Sequence, residues 1–522
     1  MSLPSTTSLT ETLYAADAVR AIDRYIIDKK GVLGFELMQR AASAAFRHLV
    51  KQWPDVQRVL VFCGGGNNGG DGYLVAANAK RHGLSVQCVA MSAPEKLKGD
   101  AEAAYQKALA DGVVVTRWER HAEQARAEFF SAFPVIVDAM LGTGVTGEPR
   151  QPVSQAIEAC NQSGCPVLAI DMPSGLDATS GSAPGVVIRA DITVTFIALK
   201  AGLYTAQGPE FCGSIQFEPL VDELAGGGHG QAAMAVKFDW ASLRSMLPRR
   251  LVTAHKGRFG RLLVVAGDRG FGGAGLMVAE AAARTGAGTV TLATRPEHVS
   301  PALARCPSLM VHGVTHGSEL GSLIEAADVI VCGPGLGKAA WGQQMLQLVS
   351  ASGKPLVLDA DALNLMSFRV AMKADNHVLT PHPGEAARLL GLTVPEIEAD
   401  RLAAARHIQR QFGGTVLLKG AGTIVDSGDA LPGVLGGSNP GMATGGMGDV
   451  LSGVLGGLLV QGLELSLAAR LAAALHLAAA DRAVMSKGYM GLLPTDVIDT
   501  LPTILGEAEG IITRAIANGV LT

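Results

Sequence analysis

Short, uninterrupted runs of β-branched and apolar residues recur along this chain. Each is closed by a glycine-rich polar loop, and each loop leads into a helical pattern. Val59–Cys63 ends in GGGNNGGDG (64–72) and is followed by a helix over Leu74–His82, closed by Gly83. SVQCVAM (85–91), a helix near 99–111, VIVDAM (135–140), a helix near 152–162, PVLAID (166–171) and TVTFIAL (193–199) continue the series. A strand apolar at every position is buried on both faces, so the helices must cover both sides of a largely parallel sheet. The fold class that follows is α/β, with a doubly wound, Rossmann-like three-layer sandwich in the first half.

The alternation weakens at AGGGHGQAAMA (225–235), a small, uncharged stretch suited to a linker. It then restarts with RLLVVAGD (261–268), a helix over 275–286, TVTLAT (289–294), DVIVCGPG (328–335), PLVLDADAL (355–363), HVLTPHPGE (377–385) and TVLLKGAGT (415–423). From Asp449 onward the pattern is mainly helical. Two domains are expected, residues 1–224 and 236–522, joined by the linker 225–235. Before the first strand, residues 8–50 read as helical, with a capping box at Ser8 and Glu11 and a break at Gly31–Gly34.

Composition narrows the function classes. Glycine supplies 65 of 522 residues but proline only 24, which fits strand-to-helix turns rather than a flexible linker chain. With 48% hydrophobic and 17% charged residues the chain is not disordered. A net charge of −4 excludes the basic footprint of a nucleic-acid binder; the densest basic cluster, Arg249, Arg250, His255, Lys256 and Arg258, is local. Seven cysteines without a C-x-x-C point to a reducing compartment, so a cytoplasmic location is expected. The first residues, MSLPSTTSLTETLY, lack the basic and apolar regions of a signal peptide. The apolar stretch 450–480 is broken by Gln461, Glu464 and Arg470 and reads as buried helices, not a membrane span.

The loops carry the chemistry. Gly64, Gly66 and Gly69 match G-x-G-x-x-G, and a glycine turn opening a helix suits a phosphate. The acid expected some 20 residues on, to hold a ribose, is missing, so a standard dehydrogenase mode is not expected. Two more polar clusters close strands in the same half: Asp138 with Gly142–Glu148, and Asp171 through Asp177. Ligands of open α/β sheets bind outside such strand ends. Asn68, Asp138 and Ser174 together offer oxygen ligands for a hard cation.

In the second half, Gly267–Gly275, Gly333–Gly337, Asp359–Asn364, Thr380–Glu385 and Lys419–Thr423 play the same part. The most informative is NPGMATGGMGD (439–449), which runs directly into a helix. A glycine turn there presents backbone donors to a moving phosphoryl group, and Asp449 beside it can take a hydroxyl proton. No Walker A motif occurs, since Gly337-Lys338 lacks the flanking residues.

Taken together, GGGNNGGDG, VDAMLGTGVTGE and DMPSGLD resemble the NAD(P)H-hydrate epimerase domain. GDRGFGGAG, GPGLG, LDADALN, LTPHPGEAARLL, KGAGT and NPGMATGGMGDVLSG resemble the ADP-dependent NAD(P)H-hydrate dehydratase domain, a ribokinase-like fold. The order is that of the fused bifunctional repair family, and it covers nearly the whole chain. The resemblance implies repair of hydrated NADH and NADPH (NADHX and NADPHX): epimerisation of the R and S hydrates, then dehydration of the S form with ADP as co-substrate.

It further implies substrate contacts in the first domain at Asn67, Asn68, Gly69, Gly70, Asp71, Gly142, Thr143, Gly144, Val145, Thr146, Gly147, Glu148 and Asp171. K+ is implied on Asn68, Asp138 and Ser174. Asp171 is the first candidate for the acid/base of epimerisation and Lys200 the second. In the other domain it implies Asp449 as catalytic base and hydrate contacts at Ala274, Gly335, Gly337 and His382. Nucleotide contacts are implied at Lys419, Gly420, Ala421, Gly422, Thr423, Gly446 and Gly448, with Mg2+ accompanying ADP. The expected partners are these small molecules; no nucleic acid or membrane is expected, and a homo-oligomer is.

Overall fold

The computed structural model describes residues 11–118, 130–144, 147–221, 230–369 and 373–517. Ser8, Val145, Thr146 and residues 225–229 of the expected linker lie outside the described residues. The chain divides into two compact units, one ending at Val236 and the other beginning at Lys237.

The first unit opens with a short strand, Thr12–Tyr14, followed by helices α1 (Ala16–Lys30) and α2 (Gly34–Gln52). The helix expected from residue 8 therefore starts only at Ala16, and its N-cap Ala15 makes no side-chain cap. Thr12, Leu13 and Tyr14 are all buried and pair with strand segments on both sides, so ladder bonds and burial outweigh the capping signal. The expected break is present: Gly31 closes α1 at φ 70°.

Seven parallel strands follow: β1 (Arg58–Cys63), β2 (Ser85–Ala90), β3 (Val114–Arg117), β4 (Val135–Ala139), β5 (Val167–Ile170), β6 (Ile192–Phe196) and β7 (Ser214–Glu218). Their order is β3-β2-β1-β4-β5-β6-β7. Successive residues of β1 enter different cores. Val59, Val61 and Cys63 join the core shared with α1 and α2, whereas Leu60 and Phe62 join one containing Ile157 and Cys160 on the opposite face. This period of two on a doubly buried strand is what makes three layers.

Helix α3 (Asn67–Arg81) begins seven residues before the expected Leu74. The glycines of NNGGDG are thus its first turns, despite their poor helix propensity. Tertiary packing is the reason. A Cβ on Gly69 would lie 2.1 Å from the Gly64 carbonyl oxygen, and one on Gly72 2.5 Å from Ala139 Cβ. Helices α4 (Gly99–Ala110) and α5 (Val153–Ser163) complete the layers.

The second unit repeats the plan with β8 (Arg261–Val265), α6 (Gly272–Thr285), β9 (Thr289–Thr294), β10 (Met310–Gly313), β11 (Val329–Cys332), β12 (Leu356–Leu358) and β13 (His377–Leu379). Helix α7 (Pro383–Leu390) leads on to β14 (Thr415–Leu418), β15 (Ile424–Asp426) and β16 (Gly433–Leu435). The order is β10-β9-β8-β11-β12-β13-β14-β15-β16. It is parallel through β14, and β15 and β16 are antiparallel additions.

Helices α8 (Met447–Leu459), α9 (Leu465–Gly491) and α10 (Pro494–Ala517) close the unit. The apolar stretch 450–480 is core, as the sequence predicts: α8 is buried from Val450 to Leu459. No helix among the described residues is long and apolar enough to cross a membrane. The seven cysteines are all free thiols.

Candidate active sites

In the first unit, α1, α3 and the loops after β1, β4, β5 and β6 surround a cavity of about 750 Å3. It lies where the strand order reverses between β1 and β4, the usual crevice of an open α/β sheet. Asn67, Asn68, Asp71, Gly142, Thr143, Gly144, Asp171 and Lys200 all line it. Gly69 and Gly70 are buried within α3 beneath that surface, where they permit close packing. Gly147 lines a small neighbouring recess with Gly142 and Asp177, and Glu148 lies against Gly185.

Asp171 follows β5 with φ 65°, a left-handed conformation that a non-glycine residue adopts at a cost of about 1–3 kcal/mol. Its Oδ1 collects three donors: the Lys200 ammonium, Thr195 Oγ1 at 3.3 Å and the Phe196 amide at 3.3 Å. No hydrogen bond to Oδ2 is made among the described residues, which leaves it for a ligand. Lys200 is 1% exposed and also donates to Thr195 Oγ1 (3.0 Å) and the Phe196 carbonyl (2.9 Å). A solvated strand-end lysine is thereby excluded; this ammonium is held against one carboxylate.

Asp138 is fully buried and accepts from Ser174 N (2.8 Å), Ser174 Oγ (2.6 Å) and Met140 N (3.1 Å). Burial pushes its carboxyl up to about 6, against the pull of those hydrogen bonds. Asn68 donates from Nδ2 to the Leu141 carbonyl at 2.9 Å, while its Oδ1 is buried with no hydrogen-bond partner. An orphaned buried oxygen costs about 1–3 kcal/mol. Ser174 Oγ, bound to Asp138, reaches the same Leu141 carbonyl at 3.4 Å, so the three side chains gather oxygen donors of the kind that suit a hard cation.

The cavity also holds residues the motifs did not reveal. Arg20, Asp23 and Arg24 of α1 and Asp100 of α4 line it. Burial, then Asp171, raises the pKa of Asp23, with Lys200 opposing. Asp71 is raised well above the usual carboxylate range by burial, then by Asp171 and Asp23. The available signal was helical spacing: Arg20, Asp23, Arg24 and Ile27 fall on one face of α1.

In the second unit the C-terminal ends of β8, β11, β12, β13 and β14 carry the polar groups. Gly335 (φ 56°) packs beside Ala274 and accepts from the Asp268 amide at 2.6 Å. Gly337 donates to Asp361 Oδ2 at 2.9 Å. Two residues before Asp361, Asp359 is 1% exposed and accepts from Lys419 Nζ (2.7 Å), Ser452 Oγ (2.7 Å) and the Ala360 amide (2.8 Å). Lys419 Nζ also lies 3.9 Å from Glu385 Oε2.

Lys419, expected at a nucleotide subsite, is thus placed in a carboxylate cluster. The motifs had assigned no role to Asp359, Glu385 and Ser452, although each stands inside one of them. Gly420 abuts the Arg401 guanidinium, and Thr423 Oγ1 donates to the Gly420 carbonyl at 3.1 Å. With Ala421 and Gly422 they form the turn between β14 and β15.

The glycine turn closes this site. Gly446 caps α8 at φ 97°, a conformation only glycine takes without strain. A Cβ on Gly448 would lie 3.2 Å from Lys419 Nζ and 3.6 Å from Asp359 Oδ2. Asp449 stands in the first turn of α8, next to these groups. Burial, then the nearby Asp359, pushes its carboxyl up to about 7, with Lys419 pulling it down.

Burial opposes the Lys419 charge, but Asp359, Glu385 and Asp449 outweigh it and raise its pKa. His382 caps α7: its Nδ1 accepts from the Gly384 amide at 3.0 Å, and its own amide donates to Glu385 at 2.9 Å. Burial, then Lys419 and Arg388, lowers the His382 pKa, which favours the neutral ring.

A loop-lined cavity with a lysine–aspartate pair in one unit, and a glycine turn beside a lysine–carboxylate cluster in the other, define a two-domain α/β enzyme. Family models agree on both halves. Residues 34–202 match the YjeF-related protein N-terminus, and residues 262–503 match NAD(P)H-hydrate dehydratase.

Among curated relatives, the bifunctional NAD(P)H-hydrate repair enzyme of Coxiella burnetii is 42% identical over 94% of this chain and 99% of its own. That of Escherichia coli is 44% identical over 95% of each. Among solved structures, a ribokinase-like superfamily protein from Enterococcus faecalis is 34% identical with a TM-score of 0.48, covering 52% of this chain and 95% of its own. The chain belongs to the family of bifunctional NAD(P)H-hydrate repair enzymes.

Proposed function

We propose that the first unit interconverts the R and S hydrates of NADH and NADPH, and that the second dehydrates the S form at the expense of ADP. The observation that carries the second half is Asp449: a half-buried carboxyl raised to about 7, in the first turn of a helix whose N-terminus is a glycine turn. In the dehydration, Asp449 takes the proton of the hydrate's hydroxyl as that oxygen attacks the β-phosphorus of ADP. The bond to the α-phosphate breaks and AMP departs. The amides of Gly446 and Gly448 face the transferred phosphoryl, where fixed dipoles stabilise developing charge.

Phosphate then leaves as the ring nitrogen donates its electron pair. Loss of a ring proton restores the double bond, giving NAD(P)H. Hydroxide alone is too poor a leaving group for that step. Ala274, Gly335, Gly337 and His382 seat the hydrate, and the Lys419–Thr423 strand end faces the nucleotide. Asp359, Glu385 and Asp449 set carboxyl oxygens around the Lys419 ammonium, and Mg2+ would arrive beside them with ADP. When bound, that ion neutralises phosphate charge.

In the first unit, Asp171, held by Lys200, acts on the hydroxyl that leaves and returns. Asn68, Asp138 and Ser174 would hold K+, a reading supported by the orphaned Asn68 Oδ1. Bound there, K+ would supply a positive charge between the loops after β1, β4 and β5.

A runner-up reading is the phosphorylation of a small alcohol by a similar glycine–aspartate turn. ADP consumption measured with purified full-length protein separates them. AMP should form only when hydrated NADH or NADPH is supplied. ADP turnover on a vitamin-like alcohol, without the hydrate, would refute the proposal.

A further inference from the structure

Epimerisation at the hydrated carbon has a stereochemical demand. The hydroxyl must leave one face of the ring and water must return to the other. An acid is needed where the hydroxyl departs and a base where water arrives, so one group on each face meets the demand without turning the ring over. Asp171, held by Lys200, supplies one such group; its Oδ1 is saturated with donors and its Oδ2 is not.

Helix α1 brings a second carboxyl to the same cavity. Asp23 lines it together with Asp171 and Lys200 and makes no hydrogen bond or ion pair among the described residues. It is partly buried between the buried Ile22 and Ile26 of its own helix. The charged groups around it come from every wall. Arg20 and Arg24 share its helix, Asp71 lies on α3, Asp100 on α4, Asp171 after β5 and Lys200 after β6. Arg20 is engaged elsewhere, with the Thr143 carbonyl and Asp17. An unpaired carboxyl in such company favours its neutral, proton-bearing form. One cavity thus holds a carboxylate bound by an ammonium and a second carboxyl without a partner, two different settings that suit a base and an acid in one site. The span that matches the epimerase family model starts at residue 34, after α1 has ended.

We propose that Asp23 is the second acid/base of the epimerisation, working on the ring face opposite to Asp171. In one direction the Asp23 carboxyl gives its proton to the departing hydroxyl. The carbon–oxygen bond breaks as the ring nitrogen's electron pair forms a carbon–nitrogen double bond, and water is released. Water then adds to the other face, the double bond's electrons return to nitrogen, and the Asp171 carboxylate takes the surplus proton. In the other direction the two exchange roles, so protons and electrons balance without a further reactant.

This inference rests on the cavity being the epimerase site, and the test separates the two. R-to-S interconversion is measured on the full-length chain and on its Asp23→Asn, Asp23→Glu, Asp23→Ala and Asp171→Asn variants. Thermal melting and dehydration of the S hydrate serve as controls. Removing one acid/base should lower kcat by about 10²–10⁴-fold. Asp23→Asn should do so with KM nearly unchanged, the melting transition kept and dehydration intact. Asp23→Glu should retain part of the activity. Formate should partly restore Asp23→Ala but leave the full-length parent unaffected.

Activity of Asp23→Asn within about threefold of the parent, well short of a general-acid effect, would overturn the proposal. So would a rise in KM alone, or a loss of melting cooperativity with no formate rescue. If Asp171→Asn were equally active, the assignment of the site itself would fail instead.

Discussion

At the residue scale, each site sets a lysine against a carboxylate. Lys200 is committed to Asp171, and Lys419 to Asp359. The carboxyl left over in the second site, Asp449, is raised to about 7. A base works only when deprotonated, so kcat/KM for dehydration should fall as pH drops through about 7, and the lost limb reports Asp449 in the free enzyme. Assays between pH 5.5 and 9 at fixed Mg2+ and ADP check this; a flat profile across that range would contradict the assignment.

The stability sign is the reverse. A carboxyl whose folded pKa is raised favours the fold while protonated and loses that contribution as pH rises through its folded value. Catalytic readiness of Asp449 therefore comes at a structural cost. Residue identities at this scale were legible where they stood in motifs, as with Asp171 and Asp449. Asp23 was not, because a single carboxylate on an amphipathic helix looks like a solvated face until the sheet packs against it.

At the element scale, glycine acts chiefly by letting backbones approach. The sequence placed GGGNNGGDG in a loop, yet from Asn67 it is helix, because Gly69 and Gly72 sit where any Cβ would strike the strand ends. Local propensity cannot report that, since the neighbour lies far away in the chain. The same logic holds α8 against α6 and β11. A Cβ on Gly453 would lie 2.3 Å from the Val278 carbonyl oxygen, and one on Gly456 2.5 Å from Val331.

Gly453→Val should therefore destabilise the second unit by about 1–3 kcal/mol, the usual cost of overpacking. Because α8 also carries Asp449, kcat for dehydration should drop with it. Denaturant unfolding measures the first effect, and an unchanged midpoint would refute the packing account. The three loops after β1, β4 and β5 offer a second test. Epimerase activity should be higher in KCl than in choline chloride at equal ionic strength, and Asn68→Leu should remove the difference. Equal rates in the two salts would remove K+ from the reading.

At the scale of the whole molecule, two doubly wound units stand in sequence, each with its own core. That plan was legible from the alternation of apolar strands and helices alone, and so was the restart after the glycine-rich stretch. The antiparallel additions β15 and β16 and the pairing of Thr12–Tyr14 were not, because strands of three residues leave no periodicity to read. Each unit carries a complete set of polar groups at its own strand ends, so the two reactions should be separable by a single substitution.

The direct measurement is Asp449→Asn in the full-length chain, assayed for both activities on a mixture of R and S hydrates. The account predicts that ADP-dependent dehydration is lost while R-to-S interconversion proceeds at the parent rate. Loss of both activities, or of neither, would contradict it.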